Sequence, residues 1–245
     1  MRQKIMSAIT LINQNNRLNF LNRRKEREFF SSFIKQGDLV FDVGANVGDK
    51  TAVFASLGAR IVAIDPQKSC IAHLKNRFKN NDSIIIIETA LGSSEGTAEL
   101  YICEEVPTIS TISEKWIEKG RFSNCHSWNQ KDSIPITTLD NIISRFGIPK
   151  YIKIDVEGYE EEVIKGLTVP CELISFEYTK EFLEDAIHCL LYLETLGTCE
   201  LNCSFGESMQ LNFSEWTDKK DLISYLESVK DDTLWGDIYV KYRIQ

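Results

Sequence analysis

Phe41-Asp42-Val43-Gly44-Ala45-Asn46-Val47-Gly48-Asp49 is the stretch that decides the fold. The apolar run Leu39-Val40-Phe41 ends at an acid and opens into a glycine-bearing turn, and the helix-compatible stretch Lys50–Leu57 follows at once. Strand, tight turn and helix in that order build a nucleotide cradle in an α/β sheet. The glycines let backbone approach a ligand, and the helix N-terminus offers unpaired N–H groups. The spacing then separates ligands. A dinucleotide fingerprint, G-x-G-x-x-G, needs its second glycine for the pyrophosphate, and here Asn46 stands in that place. Asn tolerates the turn conformation but would obstruct a pyrophosphate. Asp42 would repel a phosphate and suits a cation. S-adenosylmethionine carries a sulfonium, an α-ammonium and no phosphate, so the turn favours it as ligand.

Working outward, Arg60–Ile64 reads as a short strand ending in Asp65, 21 residues after Gly44. That spacing suits an acid accepting from ribose hydroxyls. Strand-like and helix-like runs alternate after residue 37, which predicts a mostly parallel sheet with helices on both faces. Strands are expected at 38–42, 60–64, 83–88, 150–154 and 172–177, and helices at 49–57, 67–79, 139–146, 159–166 and 179–196. The unbroken β-branched run Ile84–Ile87 reads as a strand buried on both faces. Residues 199–213 read as strand, turn, strand, 219–229 as a helix and 237–242 as a last strand. Residues 104–133 break the alternation and read as a lid or substrate insertion, in which Trp116 and Trp128 either line a pocket or anchor the loop. The expected organisation is an N-terminal helical extension over 1–36 and one domain over 37–245.

The bulk numbers narrow the class. At 245 residues the chain can bury one sizeable core. Hydrophobic residues at 43% and charged residues at 26% are ordinary for a globular protein. The net charge of −8 argues against a nucleic-acid backbone as partner. Charge is uneven: residues 1–36 hold eight Lys/Arg against two Asp/Glu. The run Arg23-Arg24-Lys25-Glu26-Arg27 either meets an anion or forms a solvated helix face. Seven cysteines with no C-x-x-C pair point to reduced thiols in a cytoplasmic setting. The three histidines are scattered, which argues against a histidine metal site, and no run is long enough to span a membrane.

A second block, Ile136-Thr137-Thr138-Leu139-Asp140 followed by Tyr151-Ile152-Lys153-Ile154-Asp155-Val156-Glu157-Gly158-Tyr159-Glu160, joins the first. With Phe41–Gly48 and Ile174-Ser175-Phe176-Glu177 it closely resembles the FkbM family of S-adenosylmethionine-dependent methyltransferases. The resemblance covers roughly residues 37–205. It implies a class I methyltransferase (Rossmann-like) sheet with an antiparallel last strand, and O-methylation of a small hydroxylated acceptor such as a saccharide. By position, it implies that Asp42, Gly44, Asn46 and Gly48 cradle the methionine end and Asp65 binds the ribose. Thr89 and Ala90 would flank the adenine, and Asp155 would stand where cofactor and acceptor meet.

Asp155 and Glu157 lie at and just past one strand end, and Glu177 ends the next expected strand. Strand ends of this kind line the ligand crevice of an open α/β sheet. Three readings stay open for the trio. One carboxylate is a general base for the attacking hydroxyl; the group holds Mg²⁺ or a similar hard cation; or the charges are structural, with Lys153 paired to Glu157. Two other functions compete with methyl transfer. They are a catalytically silent binding module and a nicotinamide-dependent oxidoreductase, the second opposed by Asn46.

Overall fold

The computed structural model describes residues 22–243. Helix α1 covers described residues 22–30. Then come β1 (Leu39–Val43), α2 (Asp49–Ser56), β2 (Arg60–Asp65), α3 (Lys68–Arg77) and β3 (Ile84–Glu88). An excursion follows through β4 (Ala90–Leu91), β5 (Gly96–Ile102), α4 (Glu114–Lys119) and β6 (Gln130–Thr137). The chain re-enters the main sheet with α5 (Leu139–Phe146), β7 (Tyr151–Ile154), α6 (Glu160–Lys165) and β8 (Leu173–Thr179). It ends with α7 (Leu183–Thr195), β9 (Cys199–Phe205), α8 (Lys219–Ser228) and β10 (Trp235–Tyr242).

Seven strands form one sheet in the order β3-β2-β1-β7-β8-β10-β9, and β4-β6-β5 form a small second sheet. β10, the last strand, slots antiparallel between β8 and β9, while β3 to β8 of the main sheet pair in parallel. The chain runs outward from β1 to β3 and returns to place β7 on the other side of β1. The strand order therefore reverses between β1 and β7, and the crevice beyond their C-terminal ends is where such sheets bind ligands.

Alternation divides the core. Phe41, Val43, Ile152, Ile154, Ile174 and Phe176 pack with α5, α6, α7 and α8, whereas Val40, Ile61, Ala63, Tyr151 and Tyr239 pack with α2 and α3. Phe30 and Ile34, at the end of α1 and just after it, are buried in that second cluster. Phe30 and Phe54 meet edge to face at 5.0 Å. Burying one such ring is worth roughly 1.5–3 kcal/mol. The helical extension expected over 1–36 is thus part of the core from residue 30, and its residues 1–21 lie outside the described residues.

Three expectations are corrected. The Ile84–Ile87 run is the edge strand β3, bonded to β2 alone, with Ile85 43% exposed. A β-branched run reads alike at a sheet's edge and centre, because neighbours decide burial. Residues 199–213 do not form two strands. After β9 the chain turns back through bends, and Asn202 replaces the ladder by accepting from Phe213 N at 3.1 Å and donating to Phe213 O at 2.9 Å. Segment 104–133 is less irregular than expected. Residues 130–133 belong to β6, antiparallel to β5, and the short helix α4 takes Glu114–Lys119. Among the described residues no helix is long and apolar enough to cross a membrane.

Candidate active site

The site begins where β1 ends. Gly44 adopts φ 80°, and an added Cβ would overlap the Asp155 carbonyl oxygen and stand 2.8 Å from its carbon. Only glycine lets β1 turn there against the end of β7. Gly44 and Ala45 donate to the Ile64 carbonyl at 2.9 and 3.0 Å. Asn46 takes φ 48°, the left-handed conformation that Asn tolerates, and its Oδ1 accepts from Val47 N at 2.7 Å.

Asp65 is held from two sides. Its oxygens accept from Asn46 N and Gln67 N, each at 2.8 Å. Lone pairs remain on both oxygens for a diol. Burial pushes its carboxyl up to about 6, against the two backbone hydrogen bonds that pull it down. Asp42 is buried and accepts from Thr51 Oγ1 at 2.5 Å. Burial raises its pKa despite the Lys153 charge nearby.

A cavity of about 520 Å³ is lined by Asp42, Gly44, Asn46, Lys153, Asp155 and Glu157. A narrow slot of about 50 Å³ shares Gly44, Asn46, Asp155 and Glu157 with it and adds Asp65, Thr89 and Ala90 beneath Thr108–Ile112. Eight of the expected residues therefore line these two adjoining spaces. Gly48 lines neither cavity: it is the N-cap of α2, and an added Cβ would meet Leu74 and Phe78. The Thr89 hydroxyl sits 3.0 Å from Pro135 O and 3.1 Å from Ala90 O, so its proton stays within the wall.

Beyond the cradle lies the carboxylate group. One oxygen each of Asp155, Glu157 and Glu177 lie within 4.8 Å of one another. Lys153, buried to 4% exposure, bonds Asp155 Oδ2 at 2.5 Å. This corrects the expected Lys153–Glu157 pair, because the chain leaves the strand after Ile154 and turns before Glu157. Glu157 and Gly158 are both left-handed, at φ 55° and 86°. Glu160 latches that turn, accepting from Val156 N at 2.9 Å and Gly158 N at 3.3 Å. Burial pushes Glu160 up to about 7. Burial first, then the charges of neighbouring acids, hold Glu157 and Glu177 well above the usual carboxylate range.

Two residues escaped the sequence reading. Asp237 pairs in register with Glu177, and with Asp42 and Asp155 it surrounds the Lys153 charge. Its signal was an acid inside the alternating strand Trp235–Tyr242. Thr111 donates to the Glu157 carbonyl at 2.7 Å, tying the segment over the slot to the carboxylate turn. Of the two tryptophans, Trp128 anchors the loop through Nε1 to Ile109 O at 2.8 Å, and Trp116 is buried.

A family model described as Methyltransferase FkbM domain matches residues 42–227. The chain belongs to the FkbM methyltransferase family. The family supports S-adenosylmethionine as the cofactor. The residues present suit that cofactor: Gly44 lets the turn close against Asp155, the acids Asp42 and Asp155 line the cavity as a cation needs, and Asp65, held by two backbone N–H groups, keeps lone pairs for a diol. A hexuronic acid methyltransferase, AglP, from Haloferax volcanii is 26% identical over 147 residues, covering 58% of this chain and 55% of that protein. This family member thus aligns with about half the length of that relative. Among solved structures, a precorrin-6y C5,15-methyltransferase from Geobacter metallireducens is 12% identical at a TM-score of 0.45, covering 92% of this chain and 88% of that one. An rRNA methylase from Streptococcus thermophilus is 11% identical at a TM-score of 0.45, with coverage of 89% and 94%.

Proposed function

We propose that this chain transfers a methyl group to a hydroxyl of a saccharide, with Glu177 as the general base. The observation that carries the reading is the trio Asp155, Glu157 and Glu177, gathered within 4.8 Å just past β7 and near the end of β8. Bound at the cradle, S-adenosylmethionine supplies an electrophilic methyl group on a sulfonium. The chain's own work is to orient and to accept a proton. Asp65 takes the ribose, Asp42 and the Gly44–Asn46 backbone flank the cationic end, and Thr89 and Ala90 wall the base.

Asp155 is neutralised by Lys153, which leaves Glu157 and Glu177 as the unspent carboxylates. Their mutual repulsion and burial raise proton affinity, so an ionised Glu177 is a stronger base than an exposed glutamate. The saccharide class draws on the Haloferax volcanii relative. The net charge of −8 favours it over nucleic acid, and seven cysteines free of disulfides suit a reducing, cytoplasmic setting.

The test is transfer of labelled methyl from S-adenosylmethionine to a panel of hexosides. Label appearing in a methyl ether supports the reading, and labelling of RNA or protein in place of sugar refutes it. A second reading rests on the same oxygens, whose spacing also suits Mg²⁺. Turnover unchanged in excess chelator removes the metal, whereas loss restored by Mg²⁺ establishes it.

A further inference from the structure

Helix α1 brings charge to the cavity at the cofactor turn. Its residues Asn22, Arg23, Lys25 and Glu26 line that space of about 520 Å³ together with Lys50 and Lys153. The volume lies in the range of small-molecule sites, roughly 300–1,000 Å³. The wall that α1 forms is pinned in place. Lys50, in the first turn of α2, binds Glu26 at 2.6 Å and Glu207, after β9, at 2.9 Å. The Lys50 and Glu26 side chains are only 20% and 14% exposed, so solvent and salt screen that pair weakly.

Four cations line the space, and two of them are committed. Lys153, buried, bonds Asp155, and Lys50 holds its two glutamates. The other two are free to meet a ligand. Arg23 Nη2 lies 4.0 Å from Asp49 Oδ1, an oxygen that Arg77 Nη1 already holds at 2.9 Å. Lys25 pairs with no carboxylate among the described residues, and residues 1–21 contain no Asp or Glu. The acids of the same lining are nearly all answered. Thr51 donates to Asp42, Arg77 meets Asp49, Lys153 meets Asp155, and Lys50 meets Glu26 and Glu207. Glu157 remains, and it belongs to the carboxylate trio.

Depth sorts these charges. Asp42 and Lys153 at the floor are buried, whereas Lys25 is exposed and the Arg23 side chain is 66% exposed. A ligand that spans the space gives a proton at the deep end and meets positive charge at the mouth. The cofactor's own carboxylate is matched by the unpaired N–H groups at the start of α2, whose Asp49 and Lys50 line the same space.

We infer, on the saccharide reading above, that the acceptor carries an anionic group, carboxylate or phosphate, and that Arg23 and Lys25 hold it at the mouth while an acceptor hydroxyl reaches the trio. Arg offers a planar fork that matches either anion through two N–H groups, and Lys adds a second charge. Both side chains are solvated, so they give a preference of several-fold and not an absolute requirement.

The experiment uses the full chain with labelled S-adenosylmethionine and three probes: methyl glucoside, its 6-phosphate and methyl glucuronide. At low salt, kcat/KM for at least one anionic probe should exceed that for the glucoside by about fivefold or more. The label should enter a base-stable ether, and the excess should shrink in about 0.5 M salt. Which anionic probe is used better tells phosphate from carboxylate. Arg23→Gln combined with Lys25→Gln should bring the ratio to within about twofold, with Tm and the S-adenosylhomocysteine Kd as in the wild type. Equal or better use of the glucoside, or an unaltered ratio in the double variant, overturns the inference and leaves the saccharide reading standing. Weaker S-adenosylhomocysteine binding in that variant assigns the two cations to the cofactor's carboxylate and overturns it as well. A base-labile ester on the glucuronide does the same, because it sets the acid group at the methyl. No methylation of any sugar overturns both readings.

Discussion

Replacing Gly44 by alanine probes the join between the cofactor turn and the catalytic strand. Two separate costs fall on that change. The left-handed backbone at φ 80° disfavours any Cβ by about 1 kcal/mol. The new Cβ also overlaps the Asp155 carbonyl oxygen, so the end of β7 must retreat, an overpacking cost of about 1–3 kcal/mol. Gly37 isolates the first cost, because it has φ 88° and nothing within 4 Å of an added Cβ. In a chain of this size each kcal/mol lowers Tm by about 2–4 °C. Gly37→Ala should therefore lose about 2–4 °C and Gly44→Ala about 4–16 °C. Calorimetric titration with S-adenosylhomocysteine should show wild-type affinity at position 37 and a loss of about tenfold or more at position 44. Equal Tm losses, or wild-type affinity in Gly44→Ala, would refute the assigned contact between turn and strand.

Two other perturbations have worked signs. The Asp65 carboxyl is raised from 3.8 to about 6, so between those values the folded chain holds this proton more tightly than the unfolded one. Its contribution to stability falls as pH rises across that window. Ribose needs the ionised acceptor, so affinity for S-adenosylhomocysteine should climb over the same window and level off above it. Asp65→Asn sets an NH₂ against the Asn46 or Gln67 N–H and should weaken binding by about tenfold or more, with no titration in calorimetry from pH 4 to 8. Lys153→Met removes the buried cation among Asp42, Asp155 and Asp237. It should cost about 3–5 kcal/mol near neutral pH and less as acid protonates those carboxylates, read as Tm against pH.

Much of the fold and the cradle was legible because the signals are local. Asp42 through Gly48 carries strand end, turn and helix start within a few residues, and Asp65 follows at the spacing of a ribose-binding acid. The Asp155–Glu157–Glu177 grouping was legible because Asp155 and Glu157 follow the end of one strand and Glu177 lies near the end of the next, which a parallel sheet brings to one edge. What stayed hidden depends on lateral neighbours. Nothing in Ile84–Ile87 says that no strand lies beyond it. Asp237 meets Lys153 only because β10 inserts beside β8, and the partner of Lys153 depends on a turn with two left-handed residues.

The measurement closest to the central claim is the pH dependence of methyl transfer to a hydroxylated acceptor by the wild-type chain and Glu177→Gln. Glu177 must be ionised to take the proton, and its pKa is held well above the usual carboxylate range. Wild-type kcat should therefore rise with pH along a limb displaced above ordinary glutamates. Glu177→Gln should abolish that limb and lower kcat by about 10²–10⁴ while S-adenosylhomocysteine binds as before. Wild-type kcat in the variant, or an unaltered limb, would contradict the assignment of Glu177 as the base.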